Sequence, residues 1–131
     1  GAVTPYVNKY RRAGTINDSP VWVLRMGEMY LIRAEARARL NNVAGGLADL
    51  NAVRQRAGIP AATASTGESL LQLVEDERRV ELAFEPHRWF DLIRTGRAQA
   101  VLRVTNAAKF LFPIPTGEIR ANPSLTQNPG Y

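Results

Sequence analysis

The one histidine of the chain, His87, stands in a window crowded with carboxylates: Glu77, Glu81, Glu85 and Asp91. Carboxylates and an imidazole converging on one cavity can hold a metal ion, and two carboxyl groups of different acidity can cleave a glycosidic bond. Arginines 78, 79, 88 and 94 are interleaved with these acids. Glu75 with Arg79, Glu85 with Arg88 and Asp91 with Arg94 fall at the three- or four-residue spacing at which opposite charges pair along a helix. An ion-pair network supporting helix packing is therefore the expectation, with no catalytic residue, no metal ligand and no cofactor.

The elements that position this window are helical. Leu70, Leu71, Val74, Arg78 and Leu82 recur at helical spacing with no Gly or Pro before Pro86, which predicts a third helix over 68–85. Ser65 and Glu68 have the spacing of a capping box for it. Pro86 lacks an amide hydrogen and clashes with the preceding turn. It predicts a kink, then a short helix ending near Gly96 that turns Trp89 and Phe90 inward. As a buried large side chain, Trp89 is expected to cost about 3–5 kcal/mol on truncation to Ala.

Upstream, residues 1–19 show no sustained period and read as an irregular lead-in. Asp18-Ser19-Pro20 is a helix start. A first helix is predicted over 21–40, with Trp22, Met26, Met29, Tyr30 and Ala36 on one broad face and Leu24, Leu31, Ala34 and Ala38 widening it, so that it is covered on more than one side. Gly45-Gly46 predicts a break and a second helix over 47–57, closed by Gly58 and Pro60. Residues 61–67 read as a flexible connector. Met26-Gly27 and Tyr30 match the core of the tetratricopeptide pattern, in which a small residue lets two helices approach. Beyond Gly96, a short helix is expected over 98–104, a loop over 106–109 and an extended tail over 110–131. Pro113 and Pro115 force the extended path, Phe110, Phe112 and Ile114 press inward, and Thr116 caps one helical turn.

The fold class is thus all-α: a helical hairpin over 20–60, a kinked long helix over 68–96 and the tail, organised as a single domain over 1–131. At 131 residues and 45% hydrophobic, the chain can bury a core without staples, and it has no cysteine. No apolar run approaches the roughly 18 residues of a membrane span. The net charge of +5 raises nucleic acid as a partner, but its distribution argues against one. Residues 20–58 carry six Arg against three acids, whereas residues 68–94 carry seven acids against four Arg. Elements of opposite sign are expected to face one another.

Four blocks in order, LRMGEMYLIRAEA (24–36), DLNAVRQRAGIP (49–60), ERRVELAFEPHRWFDLIRTG (77–96) and FPIPTGEIRANPSLTQNPGY (112–131), resemble the C-terminal part of the SusD/RagB family. Pro86 departs from the glycine more familiar there. The resemblance implies a mainly helical, tetratricopeptide-like scaffold from an outer-membrane, cell-surface lipoprotein that captures glycan or peptide for a SusC-like TonB-dependent transporter. It implies a binding protein and not an enzyme, and a soluble piece whose lipid anchor lies on a part absent here. No ligand-contacting motif carries over. Aromatic platforms are the physical expectation for a glycan binder: Trp22 and Trp89 read as core, leaving Tyr6 and Tyr10 as the ligand-binding candidates. The alternative is a stand-alone interaction module gripping a partner through the basic face around Arg37 and Arg39.

Overall fold

The computed structural model describes Lys9 and residues 23–131. All regular elements among these are helical, in the order α1 (Met26–Arg39), α2 (Val43–Arg56), α3 (Gly67–Glu81), α4 (Arg88–Arg94), α5 (Ala98–Leu102), a 3-10 helix (Ala107–Phe110) and α6 (Thr116–Ala121). The chain divides into two compact units, Gly1–Glu81 and Leu82–Tyr131.

In the first unit, α1 and α2 form a tight hairpin. Leu40, Asn41 and Asn42 are all that joins them. Asn41 takes the left-handed conformation (φ 57°), and the amides of Asn41 and Asn42 donate back to the carbonyls of Ala38 and Arg37, which closes α1. The Asn42 side chain then accepts from the Gly45 amide at 3.0 Å and caps α2. That cap is why Gly45-Gly46 lies inside α2 and does not break the chain as expected. Gly58 (φ 71°) ends α2 as predicted, with the amides of Gly58 and Ile59 donating to Gln55 and Arg54.

α3 lies against α1, and α2 also touches it. Leu31, Ala34, Ala38, Leu50, Val53, Leu70 and Val74 form the core. The face of α1 that the sequence put first is therefore not the core-facing one: Met26, Met29 and Ala36 are exposed, while Leu31, Ala34 and Ala38 of the set expected only to widen it supply the buried side, and Leu24, ahead of the helix, is exposed. Alanine decides this, because Ala34 and Ala38 let α2 and α3 approach where a longer side chain would hold them off. Gly46 and Gly67 complete the close approach. A Cβ on Gly46 would stand 2.5 Å from a Leu70 methyl, and one on Gly67 2.5 Å from the Ala38 carbonyl oxygen.

Other boundaries shift for local reasons. Residues 23–25 are not helical, so α1 starts at Met26. The reciprocal cap at α3 is one residue along from the expected pair: the Ser69 amide donates to Thr66 Oγ1 (3.1 Å) and the Thr66 amide to Ser69 Oγ (3.2 Å). The 61–67 connector is pinned, since Asn51 exchanges two side-chain hydrogen bonds with the Ala62 backbone, at 2.7 and 3.1 Å. α3 stops at Glu81 instead of kinking at Pro86, and the six residues that follow are turns and a bend. Proline excludes the helical carbonyl four residues earlier, here Leu82, and biases Glu85 away from helix, so the break falls ahead of it.

In the second unit, α4 ends as predicted, with Gly96 (φ 71°) and Arg97 donating to Ile93 and Leu92. The expected loop at 106–109 is mostly the 3-10 helix, capped by Asn106. α6 begins at Thr116 with no side-chain cap. Phe90 and Phe112 are exposed, against the inward direction expected of them. The tail is nevertheless fastened. Pro113 and Pro115 have no amide hydrogen, so Ile114 offers the one donor of the Pro-Ile-Pro segment. The Gln127 side chain accepts from it at 2.8 Å and donates to the Ile114 carbonyl at 2.9 Å. Asn128 donates to the Phe112 carbonyl at 2.7 Å and the Tyr131 hydroxyl to the Leu111 carbonyl at 2.9 Å. Gln127→Ala is expected to remove about 1 kcal/mol per lost bond, read as at least tenfold faster hydrogen exchange at the Ile114 amide.

Candidate functional site

The acids of the chemically suggestive window are divided between the two units, Glu77 and Glu81 in the first and Glu85 and Asp91 in the second. Glu77 and Glu81, four residues apart, lie on the side of α3 that meets the arginines of the hairpin. Arg54 reaches Glu77 at 2.7 Å, and Arg56 grips both Glu81 oxygens at 2.6 and 2.7 Å. Arg25 bonds the Glu81 carboxylate and carbonyl as well, and Lys9 Nζ donates to that carbonyl at 2.9 Å. Cations at the last turn of a helix answer its exposed carbonyls and the negative end of its dipole. Gly27 makes room for the cluster, since a Cβ there would lie 2.9 Å from Glu81 Oε1. Lys9, Arg25, Met26, Gly27 and Arg56 line a depression of about 310 Å³ beside it.

The second polar focus is inside the hairpin. Asp49, buried, accepts from Arg33 at 2.7 and 2.9 Å and from Arg37 at 2.6 Å, and Arg37 also donates to the Gly45 carbonyl at 3.0 Å. This arrangement staples α1 to α2. The hydrogen bonds and charge of Asp49 raise the pKa of the Arg33 guanidinium further. Arg37, expected to present a basic face to a partner, is instead turned to its own hairpin.

In the second unit, Asp91 accepts from Arg94 at 2.8 Å, as the spacing predicted, and His87 faces Glu85 at 3.5 Å. Trp89 is half-buried, with its ring 6.4 Å from Phe110 and 5.9 Å from Phe112. Its truncation to Ala is accordingly expected to cost about 1.5 kcal/mol in a urea titration, less than a fully buried ring would lose. Tyr6, Tyr10 and Trp22 lie outside the described residues. Among the described residues no three His, Cys, Asp or Glu side chains cluster to hold a metal ion.

Electrostatics separates Glu81 from a general acid. Burial pushes the Glu81 carboxyl up, but the hydrogen bonds and charges of Arg25 and Arg56 outweigh it and hold the group below its ordinary value. A proton donor at neutral pH needs the opposite shift. The unfolded chain titrates this glutamate near pH 4.3 and the folded chain lower, so its stabilisation is complete above about that pH and fades as pH falls through the folded value. Glu81→Gln should therefore be less stable than the parent at pH 7, with the gap narrowing below about pH 4 in paired urea titrations. A gap independent of pH would contradict the ion pairing.

The sequence missed the grouping of Lys9, Arg25 and Arg56 on Glu81, although one signal for it was present. Glu77 and Glu81 share a helical face, and Arg54 and Arg56 sit at the end of the preceding helix, Arg54 meeting Glu77 and Arg56 meeting Glu81. Grouping the acids by nearness to His87 hid that periodicity.

Comparison with known proteins agrees with this architecture. The sequence profile of the SusD family matches residues 3–110 and 101–131. SusD-like protein P38 of Formosa agariphila is 27% identical over 95% of this chain and 28% of its own length. The starch-binding protein SusD of Bacteroides thetaiotaomicron is 31% identical over 89% of this chain and 22% of its own. The crystal structure of a SusD-like protein from Bacteroides fragilis superposes with a TM-score of 0.73 at 34% identity, covering 82% of this chain and 25% of that one. The chain thus spans about a quarter of the length of these relatives. With the profile running across almost all of its sequence and the helical fold in common, the chain belongs to the SusD family.

Proposed function

We propose that this chain is the C-terminal scaffold portion of a cell-surface nutrient-binding lipoprotein, acting as a single portion over residues 1–131. The whole protein captures glycan or peptide and passes it to a SusC-like TonB-dependent transporter of the outer membrane. It is held there by a lipid anchor, and among the described residues of this chain no helix is long and apolar enough to cross a membrane. It binds and does not catalyse, and it needs no cofactor.

The observation that carries this reading is the family match together with the use to which the polar side chains are put. Asp49, Glu77 and Glu81 are engaged by arginines that close helix on helix, which is scaffold chemistry. The starch-binding relative supports a nutrient ligand for the whole protein. Affinity capture with the chain as bait from Bacteroides outer-membrane extracts tests the partner. Recovery of a TonB-dependent transporter, reduced by the exposed substitution Arg39→Glu, is the expected result. Capture of no transporter would remove that part of the proposal.

A further inference from the structure

Residues 59–64, between α2 and α3, are arranged as one edge of a β-ladder. They include neither helix nor turn, and exposure alternates along them: Ala61 and Thr63 face solvent, whereas Ala62 and Ala64 pack on the core. A two-residue period is that of an extended chain. The Asn51 side-chain amide takes the place of a neighbouring strand, since it accepts from the Ala62 amide at 2.7 Å and donates to the Ala62 carbonyl at 3.1 Å. Arg54 holds the Pro60 carbonyl at 2.8 Å, so the segment is fixed before anything binds to it. In an extended chain the backbone groups of Ala61 and Thr63 point away from Asn51. The N–H and C=O of these two residues take no hydrogen bond among the described residues.

From these features we infer that the backbone of Ala61, Ala62 and Thr63 is a docking edge for an extended segment of another protein, which pairs antiparallel with Ala61 and Thr63. Backbone chemistry selects this occupant. A donor and an acceptor recur at two residues' spacing, about 7 Å, which is the repeat that another extended chain presents. A helix uses its backbone groups internally and cannot answer them. The side chains at 61–64 are Ala, Ala, Thr and Ala, small enough for a second backbone to come within about 5 Å. Beside Ala61 lies a depression of about 450 Å³, lined by Asn51, Gln55, Gly58, Ile59 and Ala61 and by no charged side chain. It has room for one side chain of the incoming strand. Ile59, 40% exposed, supplies an apolar wall, and the Gln55 amide, which takes no hydrogen bond among the described residues, supplies a polar one. A long uncharged side chain with an amide end, such as Gln, matches both.

The inference stands apart from the nutrient reading and is tested without a nutrient. The probe is a capped seven-residue peptide of alternating Thr and Val with a central Gln, titrated into the nitrogen-15-labelled chain and followed by NMR. Two further peptides carry N-methyl groups on the odd-numbered or on the even-numbered residues, so that one of them loses the donors facing the edge and the other keeps them. Saturable, millimolar shifts are expected at the amides of Ala61 and Thr63. Binding should weaken at least tenfold for one methylated peptide and not for the other. Thr63→Pro, which removes one donor of the edge, should weaken it at least tenfold, and Gln55→Ala at least threefold. Circular dichroism checks that both variants remain helical, and the exposed Leu40→Ala, at the end of α1, serves as the unaffected control. Absence of shifts at Ala61 and Thr63, equal behaviour of the two methylated peptides, or a dimer in sedimentation that Thr63→Pro dissociates would each overturn the inference.

Discussion

Replacing Leu31 by Ala is expected to cost about 3–4 kcal/mol, among the largest single losses for the described residues. Leu31 is fully buried in the first unit, in one cluster with Leu50, Leu70 and Val74. Truncation removes the transfer energy of three carbon atoms and leaves a cavity, because α2 and α3 are already as close to α1 as Ala34, Ala38 and Gly46 allow. The surrounding helices have little room to collapse further. Domains of this size are stable by only about 5–15 kcal/mol, so the loss is a large fraction of the whole. Urea titration should show a lower midpoint with an unchanged slope. Met29→Ala, on the outer face of the same helix, should move the midpoint by under about 0.5 kcal/mol. Equal effects at the two positions would mean that the buried side of α1 has been misassigned.

Gly67→Ala is the second large effect, and its sign is the opposite of helix propensity. Alanine is about 1 kcal/mol the better residue inside a helix, and Gly67 is the first residue of α3. Yet an added Cβ would lie 2.5 Å from the carbonyl oxygen of Ala38, a backbone atom near the end of α1 that cannot rotate away. Relieving the clash requires α3 to move off α1, which loosens Leu70 and Val74. Overpacking of this kind costs about 1–3 kcal/mol, and a net loss of about 2 kcal/mol is expected in the same titration. A neutral or stabilising outcome would show that the N-terminus of α3 is not seated on α1.

Both effects bear on what could be read in advance. Element type was legible for the main helices, because apolar spacing and punctuation by Asn, Gly and Pro act locally, but not at 23–25, 82–85 and 107–110. Gly58 and Gly96 end their helices where expected, and α4 and α5 occur near the residues foreseen. Which face of α1 is buried was not legible. Met26, Met29 and Ile32 are more hydrophobic than Ala34 and Ala38, so composition pointed outward. Closeness of approach, which alanine and glycine permit, decides the packing and leaves almost no trace in hydrophobicity. Gly45-Gly46 misled for a related reason: a glycine pair weakens a helix locally, but Asn42 caps it and Gly46 is where α2 meets both α1 and α3. The carboxylates were assigned the right kind of role, ion pairing: Asp91 takes Arg94 as its spacing foretold and α3 does face the Arg-rich hairpin, but the individual partners of Glu77 and Glu81 were not legible. Those partners come from α2 and from Lys9 and Arg25, far off in sequence, and distant pairing follows from tertiary packing.

The central claim is that this chain supplies scaffold and that nutrient capture needs more of the protein than it contains. Isothermal titration calorimetry tests this most directly, with the chain titrated against a panel of malto-oligosaccharides, other glycans and peptides beside the starch-binding SusD of Bacteroides thetaiotaomicron as the positive control. The expected result is no saturable heat from the chain below about 1 mM ligand, while the control binds its starch oligosaccharide. Saturable micromolar binding by the chain alone, corresponding to about −8 kcal/mol, would contradict the account and place a complete ligand site within these 131 residues.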